Sequence, residues 1–346
     1  VKPVLFVTNH VPPERAGAFA ALHRRLAIEL AIFGGRSKHA TAGVADPGTP
    51  HRHVQQREIR ALAASGNYSA VVCGTAGRVA LPAAWLGARS ARMPFVLWTA
   101  LWAHPRTPAH LAGGAPLLAA LYRDADAVVA YGPHVAAFVR ARGARNVHVA
   151  PQAVDNAFWG AAITGERAAR FQAVFLGRPG REKGAQMLLD AWRSSGLGAT
   201  AALVLVGVGT GSPRPPAGAA VLSLAPQPPE QVRNYLAAAD VCVIPSLRTR
   251  SFREPWGLVA NEAMNQSTPI IASDEVGAVA GGLVRHERNA LVVPAGDVAA
   301  LAVALRRLSE DDELRTRLGS NARRDVAPYT FDAWAAGFGA ALGSLR

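Results

Sequence analysis

The 346-residue chain has two cysteines, three methionines and three lysines. Cys73 and Cys242 lie in the apolar runs AVVCGT and ADVCVIPS. Two cysteines so placed exclude a disulfide framework or a cysteine-based zinc site, and thiols inside strands suit a reducing compartment. No apolar run is long enough for a membrane-spanning helix, which needs about 20 residues. No basic segment followed by an apolar stretch precedes the first strand, so the expectation is a chain without a secretory signal, working in the cytoplasm. No acidic cluster has metal-ligand spacing. The Gly-x4-Gly-Lys-Ser/Thr phosphate loop is missing. So are short internal repeats and the basic–aromatic interleaving of nucleic-acid binders.

What is there is an ordinary globular composition. Half of the residues are apolar and 18% are charged, which excludes a disordered chain. The length accommodates two domains. The formal net charge is +13, and apart from Lys2, Lys38 and Lys183 every basic side chain counted in it is arginine. Together with abundant Ala, Gly and Pro this is the mark of GC-rich coding. A basic surface nevertheless attracts phosphates, nucleic acid and anionic membranes, which leaves peripheral contact with a membrane face open. Trp85, Trp98 and Trp102 accompany Arg-rich helices in the first half, where the favoured reading is core packing.

Strands and helices alternate twice over. VLFVT, YSAVVCGT, PFVLWTA, DAVVAYG and NVHVAP read as buried strands of the first half. RAGAFAALHRRLAIELAIF reads as one helix, with Phe19, Leu22, Leu26, Leu30 and Phe33 on one face and Gly34-Gly35 as its C-terminal cap. FQAVFLG, AALVLVG, AVLSLA, ADVCVIPS and PIIASD repeat the pattern, with helices KGAQMLLDAWRSS and PEQVRNYLAAA between them. The polar stretch 155–170 links the halves. The expected fold is α/β: two doubly wound Rossmann-like domains facing a cleft, residues 1–155 and 156–328, with a C-terminal helix in 329–346 returning to the first. Ligands of such open sheets bind beyond the strand C-termini.

Two stretches carry chemistry. In FREPWGLVANEAMNQSTPIIASDEVG, Glu254 and Glu262 have seven residues between them. Pro255 and Gly257 mark a helix start, so Glu254 falls in the loop and Glu262 one to two turns inside the helix. Carboxylates there can accept from sugar or ribose hydroxyls, and free N–H groups can hold phosphate. Spacing alone fits two solvated glutamates as well. In FLGRPGREKG a strand runs into a glycine-broken loop bearing Arg178, Arg181 and Lys183, suited to phosphate or to solvent.

Taken together, these stretches resemble the family 4 glycosyltransferases of the GT-B fold, which are retaining enzymes. The paired glutamates around PWGL and NEAM, the strand–GR…KG loop, AADVCVIPS and NALVVPAGDVAALA follow the family's order. The resemblance is strongest from Phe171 to Leu305. It implies transfer of a sugar from a UDP-, GDP- or other nucleoside diphosphate sugar to a glycan, lipid-linked or small-molecule hydroxyl acceptor, with no metal and no nucleic acid partner. It implies an acceptor-side first domain and a nucleotide-sugar-binding second one. Arg178 and Lys183 would bind the diphosphate and Glu262 the ribose. Glu254 would touch the transferred sugar, and Gly257, Leu258 and Val259 would offer backbone groups. The loops near Leu224-Ala225 and 246–253 would read base and sugar. Gly17, in PPERAG, aligns with the family's glycine-rich loop, and His104 with a donor-sugar histidine; His10 is a further candidate for sugar or acceptor contact.

The chain departs from the family pattern at Gly17-Ala18, at PQAVD (151–155) and at Ala290. Two other readings stand beside transfer: a non-catalytic nucleotide or nucleic-acid binder on the same scaffold, and a GT-B epimerase or phosphorylase.

Overall fold

A computed structural model describes residues 2–34, 47–77, 79–165, 167–209 and 220–345. The chain divides into two compact units. Val1–Asp155 joins Tyr329–Arg346 in the first, and Asn156–Pro328 forms the second.

In the first unit the strands are β1 (Val4–Thr8), β2 (Ile28–Ile32), β3 (His51–His53), β4 (Ala70–Gly74), β5 (Phe95–Thr99), β6 (Ala127–Ala130) and β7 (Val147–Val149). Among the described residues they form one parallel sheet in the order β3-β2-β1-β4-β5-β6-β7. The helices α1 (Pro13–Arg25), α2 (Ile59–Ala64), α3 (Ala80–Ser90), α4 (Ala115–Asp124) and α5 (Pro133–Arg140) fill the crossovers. The central strands are buried along their whole length except at Gly74, the last residue of β4, as sheets covered on both faces require.

One expected element is corrected. The helix read through to Phe33 stops at Arg25, where Leu26 turns extended. IELAI then becomes β2, paired in parallel with β1 from Val4↔Ile28 to Thr8↔Ile32. Leu22, Leu26 and Leu30 satisfy a helical period, but alternation of Ile28, Leu30 and Ile32 with Glu29 satisfies a strand equally. Burial on the sheet, available only in the folded unit, decides between them. Gly34 therefore closes a strand, its N–H donating to Asn9 O at 2.8 Å; Gly35 lies outside the described residues.

The second unit holds β8 (Phe171–Leu176), β9 (Ala201–Val206), β10 (Val221–Leu224), β11 (Val241–Ile244), β12 (Ile270–Ser273) and β13 (Ala290–Val293). These are again parallel among the described residues, in the order β10-β9-β8-β11-β12-β13. Its helices are α6 (Asn156–Trp159), α7 (Ala185–Ser195), α8 (Pro229–Ala238), α9 (Val259–Asn265), α10 (Gly277–Ala280), α11 (Val298–Glu310) and α12 (Asp312–Val326). On α7 the buried set Met187, Leu188, Ala191, Trp192 and Ser195 follows helical spacing and packs with Leu301, Leu305 and Leu308 of α11. Asp297 and Asp311 cap α11 and α12, each accepting a backbone N–H three residues on at 2.8 Å, a contact that ends helices cleanly.

The last helix, α13 (Phe331–Gly343), belongs to the first unit. Thr330 caps it, and Trp334 and Phe338 are fully buried beside Phe6, Phe19 and Trp98. Ring centroids lie 4.6–6.0 Å apart in edge-on or tilted pairs. Aromatic pairs in such arrangements add about 0.5–1.5 kcal/mol beyond burial.

Candidate functional site

Each sheet has one point where strand order reverses: β1/β4 in the first unit and β8/β11 in the second. Open α/β sheets place ligands at such points.

At β8/β11 the glycine-broken loop meets the loop after β11. Gly184 makes this possible. It sits at φ +74°, and a Cβ there would lie 1.9 Å from Pro245 O, so only glycine allows the approach. The short helical turn Arg181–Lys183 precedes it, and Leu247 N donates to Glu182 O at 2.8 Å. The approach delivers Lys183 to Glu254: Nζ is 2.5 Å from Oε2. Glu254 is buried, and the buried Ser246 hydroxyl donates to the same Oε2 at 3.2 Å. Ser246 is in turn fixed by Ser273 Oγ, which donates to its carbonyl at 2.5 Å. The Lys183 ammonium also stands 5.5 Å from the Phe252 ring centre.

Arg178 pairs with Glu182 at 2.6 Å. Its Nε–H is buried and meets no acceptor among the described residues. Glu262 lies one turn inside α9 and is half-buried, close enough to Cys242 to help burial push that thiol's pKa up. Both cysteines are buried with raised pKa, so neither supplies a thiolate. Gly257 adopts φ +87°. Helix α9 begins at Val259, with Leu258 as its cap, two residues later than Gly257 and four later than Pro255. The Leu224 carbonyl accepts from Gly207 and Gly209 at 3.0 Å, and the Ala225 carbonyl from Gln227 at 3.1 Å.

Residues 162–325, nearly all of this second unit, match the family Glycosyl transferases group 1. Over those residues the second unit is similar to the group 1 glycosyl transferases. A D-inositol 3-phosphate glycosyltransferase of Corynebacterium kroppenstedtii is 36% identical over 111 residues, 31% of this chain and 22% of the relative. The Corynebacterium glutamicum protein of that name is 37% identical over 116 residues, 33% of this chain and 25% of the relative. The match thus spans about a quarter of these relatives' length. Over 99% of the chain, the fold is similar to that of HepE from Anabaena, solved in complex with UDP, covering all of that chain with TM-score 0.77 and 17% identity. Sucrose-phosphate synthase from Thermosynechococcus elongatus gives TM-score 0.72 over 98% of both chains at 21% identity. The α/β two-domain architecture is the GT-B fold.

At β1/β4 in the first unit lies a cavity of about 160 Å³. His10 and Arg15 line it together with Thr75, Trp98 and Tyr131. Arg15 donates to Gln152 and stands 5.8 and 5.5 Å from the ring centres of Trp98 and Tyr131, within cation–π range. Trp98 Nε1–H is buried and has no acceptor among the described residues.

Two expected residues are not brought to this cavity. Gly17 is the fifth residue of α1, not part of a loop; Pro13 starts the helix early, and a Cβ on Gly17 would meet the Phe331 ring at 2.4 Å. Its glycine admits a neighbouring helix. His104 follows β5, with Nδ1 3.0 Å from His110 Nε2 and its ring 5.3 Å from that of Phe138. Burial, then Arg142 and His110, lower its pKa, which favours the neutral ring. Trp98 is core, and Trp85 and Trp102 pack half-buried against the core.

Sequence reasoning missed Ser246 as the support of Glu254, and it missed the Arg15–Trp98–Tyr131 group. Ser246 follows the C-terminus of β11 and Tyr131 that of β6, which was the available signal. Among the described residues no group of three or more His, Cys, Asp or Glu is arranged to hold a metal, and no helix is long and apolar enough to cross a membrane.

Proposed function

We propose that the chain is a retaining glycosyltransferase that moves a sugar from a nucleoside diphosphate sugar to a hydroxyl acceptor. The Lys183–Glu254 pair, held at the switch point of a group 1 glycosyl transferase domain, is the observation that carries this reading. As the glycosidic bond breaks, its electron pair passes to the leaving diphosphate. Lys183 supplies a point charge to that group and Arg178 a planar fork with one N–H in search of an acceptor. Two such cations can meet the charge without a divalent metal.

Glu254, buried and acceptor-only, contacts the transferred sugar, and Glu262 accepts from ribose hydroxyls. Backbone groups of Gly257, Leu258 and Val259 face sugar and phosphate, and Leu224-Ala225 borders the base. In the first unit, the cavity around Arg15 and Trp98 takes the acceptor: a glycan, a lipid-linked sugar or a small molecule. Gly17 and His104 carry no part in this assignment, because packing against Phe331, and against His110 and Phe138, accounts for them. The relative solved with UDP and those named for D-inositol 3-phosphate make nucleoside diphosphate sugars the donors to test first.

Thermal-shift and hydrolysis measurements with UDP-, GDP-, ADP- and dTDP-sugars test the reading. One donor is expected to stabilise the protein, and Lys183→Ala or Glu262→Ala to abolish the shift. Lys183→Ala lowers turnover about 10²–10³-fold, the usual loss when one charge-stabilising donor is removed. Absence of any donor effect would refute the reading. EDTA is expected to leave turnover unchanged; loss restored by Mg²⁺ or Mn²⁺ would overturn metal independence.

A further inference from the structure

A second basic site lies on the transferase unit, beside the Lys183–Glu254 pair and separate from it. Arg181, Arg248 and Arg250 line one basin of about 530 Å³. None of the three has an ion pair or a side-chain hydrogen bond among the described residues. The acid lining the basin, Glu275, is already neutralised by Arg253. Three uncompensated guanidinium groups therefore face one space, an arrangement that raises the local potential and concentrates anions.

The basin is built, not a chance meeting of floppy arginines. The loop bearing Arg248 and Arg250 is tied at its start by Leu247 N to Glu182 O and at its end by a bridge between Glu254 and Val276. Between these, Thr249 N donates to Phe252 O at 2.9 Å and Phe252 N to Thr249 Oγ1 at 3.1 Å, which fixes Arg250 on a tight turn. Guanidinium forks match phosphate oxygens two at a time.

We infer that this basin binds a second phosphate group, a phosphate monoester or diphosphate distinct from the donor's leaving group. The inference stands whether or not the donor reading holds. The shared chemistry fits a soluble phosphate ester or a phospholipid headgroup.

The test is calorimetric titration of the whole chain with inorganic pyrophosphate at low salt, using Arg248→Gln/Arg250→Gln and, separately, Arg178→Gln/Lys183→Gln. The two arginines are exposed, so the first double variant is expected to keep the parent's melting temperature. The parent should bind pyrophosphate at two sites; Arg248→Gln/Arg250→Gln should weaken one of them about tenfold or more and leave unchanged the other, which Arg178→Gln/Lys183→Gln weakens instead. Unchanged pyrophosphate binding in that variant would overturn the inference. So would an equal weakening of both sites, which would merge the basin with the donor site. Lost pyrophosphate binding in a protein that never binds UDP would sustain the basin and sink the donor reading. Sedimentation with phosphatidylglycerol vesicles separates the sources: binding lost in the variant assigns the site to a headgroup, and no vesicle binding beside intact pyrophosphate binding assigns it to a soluble ester.

Discussion

The β1–α1 and β8–α7 junctions hold the same place in their sheets but have opposite chemistry. In the second unit, glycines leave the loop open and an αL residue, Gly184, lets it touch the end of β11. Charge is gathered there: an ammonium on a buried carboxylate. In the first unit, Pro12 and Pro13 start the helix at once. What remains is a small aromatic-walled cavity with a single arginine over two rings. One scaffold thus yields an electrostatic site when its first turn is glycine-rich, and a shape-selective one when that turn is proline-rich. The two units also hold themselves together differently. The first relies on a cluster of large rings contributed partly by α13. The second relies on the packing of α7 against α11.

Trp334→Ala attacks the first arrangement. The side chain is fully buried among Phe19, Trp98 and Phe338, so about 3–5 kcal/mol of the first unit's stability should vanish. Calorimetry that resolves two transitions should show one of them fall and the other hold; a joint shift of both would break the contrast. Gly184→Ala attacks the second. The positive φ costs about 1–3 kcal/mol, and the overlap with Pro245 O adds to it. Urea unfolding followed at Trp192 should report a loss of about 3 kcal/mol in the second unit. A variant as stable as the parent would show that the loop does not depend on that approach.

The smallest expected effect concerns Asp325 on α12. Arg288, Asn289 and Arg285 hold its carboxyl below the ordinary carboxylate pKa. Its contribution is therefore complete above the unfolded pKa near 4 and is lost as pH falls through the lower folded value. Asp325→Asn should lower stability at pH 7 by about 1 kcal/mol, since the partner arginines are half-exposed. It should also flatten the acid limb of the stability curve below about pH 4. An unchanged acid limb would place the titrating groups elsewhere.

The alternation of buried strands and amphipathic helices was legible from composition and period, because parallel strands read as unbroken apolar runs. Residues 26–33 were not, since their pattern satisfies both periods and only pairing with β1 settles them. Arg178, Lys183 and Glu254 stood out through their motifs as candidate site residues. The sequence could not show that Lys183 and Glu254, 71 residues apart, form an ion pair, because that depends on how closely two loops approach. For a related reason the sequence could not place Phe331, 314 positions away, against Gly17, where a Cβ would meet its ring at 2.4 Å.

The first unit is discontinuous along the chain: it takes α13 from beyond the second unit. The second unit is thus a cassette inserted in its host. Exchanging it for that of a relative needs two splices, at Asp155–Asn156 and at Pro328–Tyr329. A chimera joined once would carry a foreign last helix against this chain's own Phe6 and Phe19, and the cost would appear in the unit that had not been replaced.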